Sequence, residues 1–159
     1  LQYTILEIIF LVQIIEMEAD YFEKSWKSCC FGGFLFGREA IRKMLRSQEG
    51  TLLFTGASAS LRGRTNFAAF NSAKSGLRSP AQAMAKEYSP KGIHIGHIVF
   101  YGAIEHEKIK KSIPDPAKQK GKKGKINTEG IVESYVYLFN QSPSAWIFEV
   151  DLRTSIEKW

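Results

Sequence analysis

Two short apolar runs constrain this chain more than anything else in it. Residues 51–55, Thr-Leu-Leu-Phe-Thr, and residues 93–99, Ile-His-Ile-Gly-His-Ile-Val, have strand length, and the first shows no polar–apolar alternation. A strand with one wet face alternates, whereas a strand covered on both faces reads as a near-continuous apolar run. Both runs are therefore expected to lie inside a sheet with helices on its two sides. The segments around them supply the helices. Phe22, Trp26, Cys30, Gly33, Gly37, Ile41 and Met44 recur at helical spacing, which predicts a long helix over residues 20–47. Phe70, Lys74, Leu77, Ala81, Ala85 and Tyr88 share one face of a second helix over residues 67–88. Helix alternating with strand is the rhythm of a parallel sheet, so the fold class is α/β with three layers.

Local signals sharpen the boundaries. Asp20, with Glu23 three residues on, reads as an N-cap with a capping-box pattern. Residues 89–92, Ser-Pro-Lys-Gly, stop the second helix. Its other face is small, with Ala68, Ala69, Ser72, Ala73, Ser75 and Gly76, and small residues let another helix approach closely. Thr128 is expected to cap a third helix that runs to about Asn140 and buries Ile131, Tyr135 and Leu138. After a turn at 141–144, a last strand is expected over 146–152, with Trp146, Phe148, Val150 and Leu152 alternating against Glu149 and Asp151.

With 159 residues the chain makes one domain, residues 1–159. Its net charge of +6 is concentrated in a lysine-rich stretch, 108–127, which holds eight lysines together with Pro114, Pro116, Gly121 and Gly124. That stretch lacks the interleaved aromatic residues on which bases stack, so it reads as a solvated loop and not as a nucleic-acid surface. Residues 1–15 are very apolar, but they are short for a membrane span and contain Gln2, Glu7 and Gln13. No basic run precedes them and no small-residue cleavage site follows. They are expected to form a buried strand, alone or with a short helix. Cys29 and Cys30 are adjacent and fit neither a disulfide framework nor a zinc site, which points to a reducing, cytoplasmic setting. His94 and His97 stand three apart on a strand, face opposite sides and do not share a metal; His106 has no evident partner. No metal site is expected.

Several of these segments resemble a known family when taken together. Residues 50–63 (GTLLFTGASASLRG) resemble the strand-and-serine segment of the short-chain dehydrogenase/reductase family. Residues 67–78 (FAAFNSAKSGLR) resemble its Tyr-x-x-x-Lys helix, and 83–95 the stretch leading into the next strand. Residues 22–39 resemble the preceding helix, and 144–153 (SAWIFEVDLR) the closing strand of one subgroup. The resemblance covers about residues 16–159. It implies the C-terminal part of that family's fold: a partial Rossmann-like parallel sheet with flanking helices, serving hydride transfer between NAD or NADP and an alcohol or carbonyl carbon. In the family a glycine-rich turn and about three strands precede the first segment matched here. No Gly-x-x-x-Gly-x-Gly occurs in this sequence, and Gly32, Gly33 and Gly37 fall inside a helix.

The resemblance also assigns positions. Lys74 stands where the family's lysine lowers the tyrosine pKa and holds the nicotinamide ribose. Phe70 stands at the tyrosine position, and a phenyl ring has no proton to exchange. Ala57 stands at the serine position, with Ser58 beside it and one residue out of register. Cys29 stands at the asparagine position. Tyr101 and Gly102 replace the Pro-Gly turn, and Ile104 lies where backbone meets the carboxamide of nicotinamide. Tyr101 also carries a phenol of its own. For Lys74 two readings stand side by side: ribose binding, or a helix lysine reaching to solvent. The expectation is a dehydrogenase/reductase-like protein whose catalysis is impaired. The alternative is a non-catalytic interaction protein that forms homo- or hetero-oligomers through helices 20–47 and 67–88.

Overall fold

The computed structural model describes residues 9–104 and 124–157. The first helix runs from Ala19–Trp26 (α1) through a π-helical turn at Lys27–Phe31 into Gly32–Met44 (α2). Strand β1, Gly50–Ala57, is followed by a 3₁₀ turn, Ser58–Ser60, and by helix α3, Ala68–Tyr88. Strand β2 is Ile93–Tyr101. A two-residue strand β3, Ala103–Ile104, pairs in parallel with β4, Lys125–Ile126. Helix α4, Thr128–Phe139, leads to the last strand, β5, Glu149–Arg153.

The main sheet has the order β1-β2-β5, and both pairings are parallel. All nine residues of β2 are buried, which places that strand at the centre. One face of the sheet packs Leu52, Phe54, Ile93 and Ile95 against Ile41 of α2 and Leu77, Ala81 and Met84 of α3. The other packs Ile98 and Phe100 against Leu138 of α4. This is the three-layer α/β arrangement expected from the two apolar runs. The small face of α3 does receive a helix: a Cβ built on Gly76 would stand 2.9 Å from Sγ of Cys30.

Several boundaries differ from expectation. Asp20 is not a cap. Helix α1 follows Glu18, whose carbonyl accepts from the amides of Tyr21 and Phe22, and Asp20 sits in the first turn bonded to Lys24 at 2.8 Å. An i,i+4 partner and the dipole both favour a carboxylate there. The cap of α4 is Asn127, which accepts from Gly130 N at 2.9 Å, one residue ahead of Thr128. The last strand begins at Glu149, not at Trp146. Trp146 leaves the strand path because its indole donates to the Gln141 carbonyl and its ring stacks on His94. The expected strand in residues 1–15 does not form in its described part. There, Val12 N bonds Asn66 O, Ile14–Glu16 is a 3₁₀ turn, and Ile14 and Ile15 are exposed. Among the described residues the outer edge of β1 therefore has no strand partner. The lysine-rich stretch from 108 to 123, and His106, lie outside the described residues. No helix among the described residues is long and apolar enough to cross a membrane.

Candidate active site

In a parallel sheet, ligands meet the carboxyl ends of the strands, where helix dipoles and loop backbone converge. Here that edge is formed by Ala57 of β1, Tyr101 of β2 and Arg153 of β5. Most of the residues singled out by sequence gather around it.

Lys74 projects from α3 toward β1. Its Nζ donates to the Thr55 carbonyl at 3.1 Å and lies 5.8 Å from the centroid of the Phe70 ring. Both side chains are half-buried. The i,i+4 spacing along the helix brings them together, as it would bring together any pair so spaced. The pair holds one cation and an aromatic face, and no hydroxyl. Thr55 also bonds through its own hydroxyl to the phenol of Tyr135 on α4. Burial pushes the Tyr135 phenol above its ordinary pKa.

At the end of β1, Ser60 and not Ser58 makes the local hydrogen bond, its buried hydroxyl accepting from Ala57 N at 3.2 Å. Ser58 contributes its carbonyl, which accepts from the amides of Leu61 and Arg62. Cys29 is buried within the π-helical turn and packs in the core with Leu52, Phe54 and Ala73. Single π-turns inserted in helices widen the backbone locally and concentrate at functional positions. Nothing in the amino-acid pattern of 27–31 signals the turn. Beside it, burial raises the pKa of the Cys30 thiol.

Tyr101 is buried and enclosed by two guanidinium groups, Arg153 at 3.4 Å and Arg62 at 5.4 Å from its ring centroid. Arg62 also meets the Glu157 carboxylate at 3.3 Å. Gly102 follows with φ 140°, a region that L side chains rarely adopt. Ile104 then pairs with Ile126 across β3 and β4, so the turn after β2 is held by its own small sheet.

A second polar cluster lies one helical turn beyond Lys74, and the sequence reading missed it. Arg78 donates twice to Glu149 of β5, Nε to Oε2 at 2.6 Å and Nη2 to Oε1 at 2.8 Å. The fully buried His97 places Nδ1 2.8 Å from Oε2 of the same carboxylate. The Arg78 guanidinium holds the Glu149 carboxyl below its ordinary pKa, and burial holds His97 below its own. A histidine inside an otherwise apolar strand was the available signal. His94 leaves the opposite face of β2 and bonds the Ile147 carbonyl at 3.0 Å. Among the described residues no three His, Cys, Asp or Glu side chains are grouped to hold a metal.

A groove of about 520 Å³ lies apart from Lys74, between residues 12–15 and Arg64, Thr65, Asn66 and Ala68. Its lining contains no titratable group except Arg64.

The family profile described as short chain dehydrogenase matches residues 8–115. The 3-oxoacyl-[acyl-carrier-protein] reductase of Bos taurus is 28% identical over 90 residues, covering 52% of this chain and 38% of that protein; the Homo sapiens protein of the same name matches equally. Among solved structures, a short-chain dehydrogenase from Rhodopseudomonas palustris superposes with a TM-score of 0.71 at 38% identity, covering 93% of this chain and 57% of that one. A gluconate 5-dehydrogenase from Burkholderia cenocepacia, solved with NADP and tartrate, superposes at 0.81 with 14% identity, covering 95% of this chain and 62% of that one. The second likeness speaks to fold alone. The chain spans well under half the length of the curated relatives it matches and about three-fifths of the structures.

Proposed function

The chain belongs to the short-chain dehydrogenase family, and from that premise we propose that it keeps the cofactor-side lysine of the fold while lacking the group that moves the proton. The observation that carries this reading is the Lys74–Phe70 pair. Lys74 sets an ammonium at the carboxyl edge of β1, with three N–H donors suited to ribose hydroxyls of NAD or NADP. The ring it lies over has no hydroxyl. Reduction of a carbonyl requires a proton at the oxygen as hydride reaches the carbon, and Phe70 has none to give.

The fit to the dinucleotide is one-sided. Lys74, with the turn through Tyr101, Gly102 and Ile104, suits the ribose and nicotinamide end. Among the described residues no glycine-rich turn opens a helix where a pyrophosphate would sit. Ala57 and Cys29 offer no hydroxyl or amide at the serine and asparagine positions, and Ser58 stands one residue away. Catalysis is accordingly impaired on this reading. Cys29 and Cys30, both buried and outside any disulfide among the described residues, suit a reducing cytoplasmic compartment.

Calorimetry with NAD(H) and NADP(H) tests it. Micromolar binding that Lys74→Ala abolishes supports the ribose role, and Phe70→Tyr should then give more turnover than the wild type. Binding indifferent to Lys74, or turnover equal with and without the Phe70 substitution, sinks it.

One observation favours the alternative, an interaction protein working through its helices. Trp26, Phe31 and Phe34 stack ring on ring along α1 and α2 and remain 37–43% exposed. Contiguous exposed rings mark association surfaces more often than solvent-facing ones. On this reading the chain forms a homo- or hetero-oligomer through the helices 20–47 and 67–88. Sedimentation of the wild type against Trp26→Ala/Phe31→Ser separates the readings: a dimer that the double variant dissociates supports association, and a monomer in both removes it.

A further inference from the structure

The cluster of Arg78, Glu149 and His97, with a fully buried imidazole and a partly buried ion pair, carries a desolvation cost. Taking charges out of water is repaid only where geometry and further hydrogen bonds satisfy them, and an apolar replacement is often neutral or better. This cluster joins three elements at once: α3 through Arg78, β5 through Glu149 and β2 through His97. Its place relative to Lys74 is specific in two ways.

The first is the imidazole. The Glu149 carboxylate only accepts, so Nδ1 of His97 carries the hydrogen, and Nε2 of the neutral ring is bare. Nε2 is buried and has no hydrogen-bond partner among the described residues. It faces Gly56 so closely that a Cβ there would stand 2.3 Å from it. The peptide joining Thr55 to Gly56 bears the carbonyl that receives the Lys74 ammonium. The ring thus abuts the backbone unit to which Lys74 is tied. It cannot easily swing away, since it also stacks on Phe148 at 6.3 Å.

The second is the helix. Arg78 follows Lys74 by four residues, so both leave the same side of α3. Lys74 reaches β1 and Arg78 reaches β5, two cations gripping the sheet on either side of β2.

We propose that His97, Glu149 and Arg78 form a positioning network for Lys74, His97 bracing the Thr55–Gly56 peptide that receives the ammonium and Arg78 anchoring the next turn of its helix. The charged groups whose fields reach the imidazole are Glu149 from β5 and Arg78 and Lys74 from α3, while Tyr101, four residues along β2, acts on Arg78; from β1, Gly56 faces the ring. A proton arriving at Nε2 finds no acceptor and meets the fields of Arg78 and Lys74. The network therefore communicates the charge of His97 to Lys74. Its consequence for cofactor binding rests on reading Lys74 as the ribose-side cation.

Side-chain NMR of the intact chain tests the network without any cofactor. The Lys74 ammonium signal, assigned by its loss in Lys74→Arg, is followed together with the imidazole signals of His97 between about pH 5 and 8. The expected result is a Lys74 shift with the same midpoint as His97, abolished in His97→Asn, whose amide still donates to Glu149 but does not titrate. A Lys74 signal that stays flat in the wild type while His97 titrates overturns the proposal, as does an unchanged Lys74 titration in His97→Asn. Should the variant fail to fold, the wild-type titration alone decides. Dinucleotide affinity is then measured on the same proteins. If the wild type does not bind, the ribose reading fails and the NMR result stands. If it binds, His97→Asn should weaken binding in the same sense as Lys74→Ala.

Discussion

Two adjacent turns of α3 face the same sheet and are built on opposite terms. At Lys74 a single cation, half-open to solvent, meets one backbone carbonyl and the face of a phenyl ring. At Arg78 the cation makes two hydrogen bonds to a carboxylate, which also accepts from a fully buried imidazole. The first turn leaves donor capacity to spare, which a ligand can use. The second spends all of its carboxylate's strength inside the fold. A site that must exchange partners has to be under-satisfied, and a neighbouring turn with every charge matched is what can hold it still.

The sharpest way to break the contrast is Glu149→Ala. It leaves Arg78 and His97 without their shared acceptor and should cost about 3 kcal/mol, the lower end for a broken buried pair because these side chains keep some exposure. Chemical denaturation measures it; a loss under about 1 kcal/mol would mean that water replaces the carboxylate. Gly56→Ala follows. Its methyl enters the space of the His97 ring, which is held by Phe148 and Glu149, and overpacking there should cost about 1–3 kcal/mol. If the melting temperature is unchanged, the ring moves freely and does not brace β1.

Acid sharpens the comparison in a third way. Burial lowers the folded-state pKa of His97 below 6.5, so the unfolded chain takes up a proton that the folded one refuses. Stability from this group is present above the unfolded pKa and is lost as pH falls from about 6.5 toward the folded value. Glu149, held down by Arg78, acts at lower pH: its contribution is present above 4.5 and is lost as pH falls through its folded pKa. Unfolding measured along this range should show two successive losses, and His97→Asn should remove the upper one alone. The smallest effect belongs to the open turn. Lys74→Ala should change stability by no more than about 0.5 kcal/mol, since its one bond is to a carbonyl that water can also serve. A larger loss would move Lys74 from the ligand-ready class to the structural one.

Much of this is legible in the amino-acid sequence alone. Helix and strand order, the parallel sheet and the Lys74–Phe70 pairing follow from periodicity and i,i+4 spacing, which are local in the chain. The failures were also physical. Asp20 has a capping residue's chemistry, but Lys24 four residues on offered a partner within the first turn. Trp146 continued an alternating pattern, but its indole found the Gln141 carbonyl and the His94 ring. The π-turn around Cys29 arises where a helix adjusts to its neighbours, and no composition rule announces it.

By itself, then, the sequence determined the layers of this protein and the placing of Phe70 beside Lys74 on one helix, because both depend on residues a few positions apart. Only the tertiary structure decided what stands behind that lysine. Arg78 and Glu149 are 71 residues apart, and His97 and Glu149 are 52 apart. They meet because β2 lies between β1 and β5 beneath α3, a closeness that exists only once the sheet has formed.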